Sequence, residues 1–149
     1  MKFIATYKNG NFIYKIGYFY YAILKIYSEL AKKEIDCVHI HMSHTGSFYR
    51  ASTIKKVCDI FKVPIVIHLH GSEFEKFYNN SSLKIQNKIE KFFSEIYLTI
   101  VLGEQWKKFI KKISPTANVQ VLNNSIKIPD NIVKQEEKTV NFLESISLL

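Results

Sequence analysis

The 149-residue sequence contains little glycine, little proline and almost no arginine. Five glycines and three prolines argue against long linkers and low-complexity segments, so the composition indicates a globular chain. Cysteine is also scarce: Cys37 and Cys58 both lie in apolar periodic segments, and we interpret them as buried thiols in a reducing cytoplasm. A disulfide between them stays open as an alternative without support from their spacing.

The scarcity of arginine limits the kinds of binding partner that the positive charge indicates. The formal net charge is +8, and basic chains bind nucleic acid, anionic lipid surfaces or phosphorylated substrates. Arg50 is the only arginine, and arginine makes the commonest specific base contact, so we expect no nucleic-acid partner. Solvated helix faces explain most of the scattered lysines. Peripheral contact with an anionic membrane is the alternative.

The sequence also lacks an uninterrupted apolar run of membrane-spanning length. The aromatic stretch from Phe12 to Leu30 is broken by Lys15 and Lys25, and its apolar residues follow helical spacing. We therefore predict an amphipathic helix whose aromatic face packs on the core, with a membrane interface as the alternative. No signal peptide pattern follows Met1, which predicts a cytoplasmic protein.

Short apolar segments and helical segments alternate along the chain at roughly the size of a βαβ unit. This pattern predicts an α/β fold with a mainly parallel sheet and flanking helices. The predicted strands are Lys2–Tyr7, Asp36–His41, Ile65–His70, Ile96–Leu102 and Val119–Leu122. The predicted helices are Phe12–Lys32, Phe48–Phe61, Phe74–Phe93 with a polar break at Asn79–Ser82, and Gln105–Ile113.

Polar or small residues follow four of the predicted strands. In open α/β sheets, ligands bind outside the carboxyl ends of the strands, so these residues are expected to line one crevice. Gly71 allows close approach of the backbone to a ligand, and a helix that begins after it would offer free N–H groups to an anion. The four segments are His41–His44, His68–Glu73, Gly103–Glu104 and Asn123–Asn124.

Histidines are concentrated at two of these strand ends. We expect His41 and His70, which end their strands, to face the crevice. We interpret His39 and His68 as packing residues, because strand alternation is taken to direct them to the other face. The same reasoning separates the rings of each H-x-H pair, so zinc binding by His41, His44, His68 and His70 is disfavoured and no metal site is predicted. The sequence has no G-x-S-x-G elbow, Walker loop or G-x-G-x-x-G motif.

Taken together, the strand-end segments resemble a known family. The runs DCVHIHMSHTGSFY, VIHLHGSEF, IVLGEQWKKFIKK and VLNNSIKIP are similar to the N-terminal domain of family 4 glycosyltransferases. These are retaining enzymes that use nucleotide sugars and consist of two Rossmann-like domains, the GT-B fold. The nearest resemblance is to bacterial members that build cell-surface polysaccharides.

The resemblance implies roles for individual residues. His70 would lie near the reacting sugar as the catalytic residue, and the reaction would need neither a cofactor nor a divalent metal. The N-terminal domain would hold a glycan or lipid-linked acceptor, and a C-terminal domain would hold the nucleotide-sugar donor. The predicted substrate-binding residues are His41, Ser43, His44, Gly46, Gly71, Ser72, Glu73, Gly103, Glu104 and Asn123.

The resemblance also predicts the domain organisation. Residues 1–129 would form the Rossmann-like N-terminal domain, and residues 130–149 an interdomain linker and the truncated start of the C-terminal domain. The first strand of the family has no counterpart, so Lys2–Tyr7 and Asp36–His41 are expected to lack their usual neighbour. We therefore expect an incomplete enzyme with little activity alone, because chemistry requires both substrates positioned together. The alternative function is a non-catalytic basic module that binds an anionic membrane.

Overall fold

A computed structural model describes residues 2–43, 45–70, 73–122 and 142–146. Strands and helices alternate through the first three ranges, which confirms the α/β prediction. The strands are β1 Lys2–Ala5, β2 Cys37–Met42, β3 Ile65–Leu69, β4 Leu98–Val101, β5 Val119–Val121 and β6 Phe142–Ile146. The helices are α1 Phe12–Ala31, α2 Thr45–Phe61, α3 Glu73–Asn79, α4 Leu83–Glu95 and α5 Glu104–Ile113.

The six strands form one sheet in the order β1-β6-β2-β3-β4-β5, and every described pairing is parallel. Parallel pairing places the carboxyl ends of all six strands at the same edge of the sheet. The ends of β2, β3 and β4 therefore lie at this edge. This edge is where ligands bind in open α/β folds.

The core consists of the central strands and the helices packed on them. In β2, Val38, Ile40 and Met42 are buried, while the two histidines between them are half-buried. A strand that is largely buried on both faces is typical of a parallel sheet covered by helices. The largest fully buried side chains include Phe48, Phe74, Phe93, Ile26, Ile54, Ile67 and Ile89.

Helix α1 buries a different face from the one expected. It begins at Asn11, whose side-chain Oδ1 accepts a hydrogen bond of 2.8 Å from the backbone N–H of Tyr14. Its buried residues are Ala22, Ile26 and Leu30, which lie one helical turn apart. Most of the aromatic and large aliphatic residues of the predicted packing face are exposed, namely Phe12, Ile13, Ile16, Tyr20, Leu24 and Tyr27. The expectation that this face packs on the core was therefore wrong.

Strand β6 occupies the position between β1 and β2. Leu143 is the register partner of Lys2 on one side and of Val38 on the other. We expected β1 and β2 to lack their usual neighbour; the position between them is occupied by β6 instead. A strand that lies about 100 residues after β2 completes the sheet, because a parallel pairing requires only an exposed edge and a crossover of sufficient length.

Candidate functional site

Two adjacent strands carry the histidines of the candidate site. His41 near the end of β2 is the register partner of His68 in β3. His70 follows β3, and its backbone N–H donates a hydrogen bond of 2.8 Å to the carbonyl oxygen of Met42. Each of these strands pairs with a neighbour on both sides, so the backbone beneath the histidines is fixed.

The rings of His41 and His70 contact each other directly. Nδ1 of His41 lies 2.7 Å from Nε2 of His70, which is a hydrogen-bond distance that requires one of the two nitrogens to carry the proton. Burial, followed by the nearby His41, lowers the pKa of His70 below its ordinary value. Both causes favour the neutral form of the His70 imidazole.

His39 and His68 lie on the same face as His41 and His70, contrary to our prediction. The ring centroids of His39 and His41 are 4.7 Å apart, and those of His68 and His70 are 3.9 Å apart. The cross-strand pair His41 and His68 is 5.2 Å apart. Residues two positions apart on a strand share a face, so the H-x-H spacing brings the rings together instead of separating them. Ligand nitrogens of His39, His41 and His68 lie within 4.8 Å of one another, close enough to hold a metal ion.

A groove of about 560 Å³ lies at the same edge of the sheet, between α1 and the first turns of α2. Its wall includes Gly46, a predicted substrate-binding residue, together with Thr6 and Tyr7, which follow β1. An added Cβ at Gly46 would lie 3.4 Å from the guanidinium of Arg50, an ordinary contact, so the small residue is not required by packing. The apolar wall of the groove consists of Phe12, Ile16, Phe19, Tyr20 and Ile23.

Two cations of this groove converge on one aromatic ring, which the sequence did not predict. The guanidinium carbon of Arg50 lies 5.1 Å from the centroid of the Tyr7 ring, and Nζ of Lys15 lies 5.4 Å from it. Both distances are within the range of cation–π contacts. Burial is the main cause that lowers the pKa of Arg50. The signal available in the sequence was that Arg50 is the only arginine and follows Gly46 by one helical turn.

The other predicted site residues are distributed along the same edge. The Ser43 N–H donates a hydrogen bond of 3.0 Å to Oγ of Ser47, which is already helical, so α2 begins within the segment predicted as a loop. Glu73 begins α3 and pairs with Lys76 at 3.0 Å. Gly103 precedes α5 and Glu104 begins it, with Lys107 3.9 Å away. Four predicted residues lie outside the described residues: His44, Gly71, Ser72 and Asn123.

Comparison with known proteins gave one match. The family model described as Glycosyltransferase Family 4 matches residues 4–128, which covers more than half of the chain. No curated protein and no solved structure matched the chain. Among the described residues, no helix is both long and apolar enough to cross a membrane.

Proposed function

Because the chain belongs to glycosyltransferase family 4, we propose that it forms the acceptor-binding side of a retaining enzyme that transfers a sugar from a nucleotide sugar. The acceptor is a glycan or lipid-linked molecule used in bacterial cell-surface polysaccharide synthesis. The observation that supports this function is the pair of His41 and His70 at the carboxyl edge of the sheet, within the residues matched by the family. Strand ends of this kind are where α/β proteins bind their ligands.

His70 is the residue that we propose contacts the reacting sugar. Its Nε2 is engaged with His41, and we assign the hydrogen bond to a sugar hydroxyl to the other ring nitrogen, Nδ1. His41 fixes the orientation of that ring and is a positioning residue. A ring held in place in this way loses little conformational freedom when the substrate binds, and this lowers the barrier to transfer.

The groove beside α2 favours a lipid-linked acceptor over a free glycan. One part of its wall is aromatic and aliphatic, and the other part carries the cations of Arg50 and Lys15. Apolar surface suits a polyprenyl chain, and a guanidinium binds phosphate oxygens in a bidentate manner. We therefore assign the groove to the diphosphate group of such an acceptor and to the first isoprene units that follow it.

Replacing Arg50 by glutamine is expected to weaken binding of a polyprenyl-diphosphate sugar, presented in detergent micelles, by about 10- to 100-fold. The reason is the loss of a charge-assisted hydrogen bond to phosphate. The measurement is a fluorescence titration of the purified chain with the labelled probe. Lys56→Gln, an exposed residue of the same helix that does not line the groove, is the matched control and should leave the affinity unchanged.

Competition experiments test the same assignment. An excess of the unlabelled lipid-linked sugar should displace the probe, whereas a nucleotide sugar should not, since donor contacts in the family come from the second domain. If the probe does not bind saturably, or if both glutamine variants bind equally well, the acceptor assignment is wrong. Displacement by the nucleotide sugar would instead place the donor on this domain.

The exposed face of α1 favours a second candidate function, a non-catalytic module that binds an anionic membrane. Ile13 is 80% exposed and Leu24 is 69% exposed on this helix. Tyrosines lie on the same helix, and the chain carries a net charge of +8. Apolar and aromatic residues on a basic surface are typical of helices that lie in the membrane interface.

Replacing Ile13 by aspartate should lower binding to vesicles that contain anionic lipid by about tenfold or more, because an aliphatic side chain can no longer enter the interface. Flotation of vesicles with and without anionic lipid measures this. The matched control is Ile60→Asp, since Ile60 is a comparably exposed isoleucine (68%) on α2. Equal flotation of both variants, or of the unmodified chain with neutral and anionic vesicles, would argue against the membrane module.

A further inference from the structure

The histidine face of the sheet includes two histidines, His39 and His68, to which the proposed transfer reaction gives no role. Along β2 and β3, the histidines alternate with buried apolar residues. The histidines therefore lie on one face of the sheet and the apolar residues between them on the other. The histidines of this face are His39, His41, His68 and His70. Four imidazoles at adjacent positions do not serve packing well, because aliphatic side chains would fill the same space without polar atoms to satisfy.

Three of these histidines form a group with the geometry of metal ligands. One ring nitrogen of each of His39, His41 and His68 lies within 4.8 Å of the corresponding nitrogen of the other two. Nitrogens around a tetrahedral zinc ion are about 3.3 Å apart, because each Zn–N bond is about 2.0–2.1 Å long. Small rotations of the rings would close this difference. The backbone positions need not move, since β2 and β3 are both internal strands.

We propose that His39, His41 and His68 bind a divalent transition-metal ion of the zinc class, with the fourth coordination position open. Imidazole nitrogens prefer zinc, nickel and copper, whereas magnesium and calcium prefer oxygen ligands. Because all three ligands are imidazoles, the group is expected to bind zinc, nickel or copper and not magnesium or calcium. Three protein ligands with an open position is the arrangement in which zinc can also bind water or another ligand.

His70 completes the site from outside the coordination sphere. Its Nε2 lies 2.7 Å from Nδ1 of His41. When the proton is on Nδ1 of His41, that nitrogen donates to His70 and Nε2 of His41 is free of a proton for the metal. A hydrogen bond from the second ring nitrogen of a ligating histidine fixes its tautomer in this way in many metal sites.

The proposal is tested on the untagged, metal-free chain. Titration with Zn²⁺ against a chromophoric chelator should show one saturable equivalent, and Zn²⁺ should raise the thermal unfolding temperature. Titration with Co²⁺ should give the visible absorption of a four-coordinate ion, without the charge-transfer band that a thiolate ligand would add. Weak binding of several equivalents would contradict a built site.

Variants assign the ligands. The double substitution His39→Asn and His68→Asn should abolish the one-equivalent binding, while His70→Gln should weaken it by about 10- to 100-fold. Glu34→Gln, which removes an exposed carboxylate before the start of β2, should bind Zn²⁺ as the unmodified chain does. If the double variant does not fold, His41→Gln provides the same test near the end of the strand. Retention of the binding in the ligand variants, or its loss in Glu34→Gln, would overturn the assignment. This inference does not rest on the proposed transfer reaction, so either can fail alone.

Discussion

Replacing His70 by alanine is expected to lower kcat/KM for sugar transfer, assayed with the proposed donor-binding domain present, by about 100-fold, the usual effect of removing one hydrogen-bond donor aimed at the reacting group. His70 follows β3 and is exposed, and its ring contacts those of His41 and His68. We expect its loss to remove the proposed interaction with substrate and only a small packing contact. The measurement is transfer of labelled sugar to the acceptor at several acceptor concentrations. Unfolding by urea should give nearly the same midpoint for both proteins.

Two comparisons make this result specific. Lys84→Ala, on the exposed surface of α4, should leave transfer unchanged and controls for handling of the variants. His41→Gln should lower kcat more than it changes KM, because a positioning residue affects the orientation of His70 and not the number of substrate contacts. A His70→Ala enzyme with turnover within threefold of the original would reject the role of His70.

Replacing Leu143 by proline is expected to lower the free energy of unfolding by roughly 3 kcal/mol, which is a large part of the stability of an ordinary domain. Leu143 is in β6 and pairs with Lys2 of β1 and with Val38 of β2. Proline lacks the N–H needed by the ladder and leaves the opposing carbonyl group unsatisfied inside the sheet. Urea unfolding followed by circular dichroism measures the difference.

The variant Leu143→Ile keeps the backbone N–H and is the matched control, with an expected change below about 1.5 kcal/mol. Hydrogen exchange identifies the region affected. In the proline variant, the backbone amide of Ile4 in β1, which pairs with β6, should exchange much faster. The amide of Ile100 in β4 should change less, because β2 and β3 lie between β4 and β6. If the stability of the two variants is the same, β6 does not hold the position between β1 and β2.

Local sequence patterns predicted the order of the elements well. The strand bounds of β2 and β3 differ from the predicted ones by one residue at most, because continuous apolar runs between polar segments leave few alternatives. The convergence of His41 and His70 followed from parallel pairing alone. Helix α2 begins at Thr45, three residues before the predicted start, where the sequence TGS had suggested a loop.

The remaining features depend on contacts that a local pattern does not contain. Helix α1 has apolar residues on nearly its whole circumference, so the periodicity did not distinguish the buried stripe around Ile26 from the exposed one around Tyr20. The pairing of β6 with β1 joins distant segments. The groove arises where Arg50 of α2 meets Tyr7, and only the packing of α2 against the segment that follows β1 brings them together. The prediction that His39 faces away from His41 was wrong, because strand alternation places residues two positions apart on the same face.

Because β6 lies between β1 and β2, the strands cannot join the sheet in the order in which they are synthesised. Lys2 and its partner Leu143 are 141 positions apart, so β1 is made early and its neighbour in the sheet late. At about 5–20 residues per second, roughly 7 to 30 s pass on the ribosome between the two. Strands β2 to β5 can pair during this interval, because their partners are near in sequence. Meanwhile β1 and the outer edge of β2 have unpaired backbone groups, and a chaperone that covers these edges would raise the yield of folded protein.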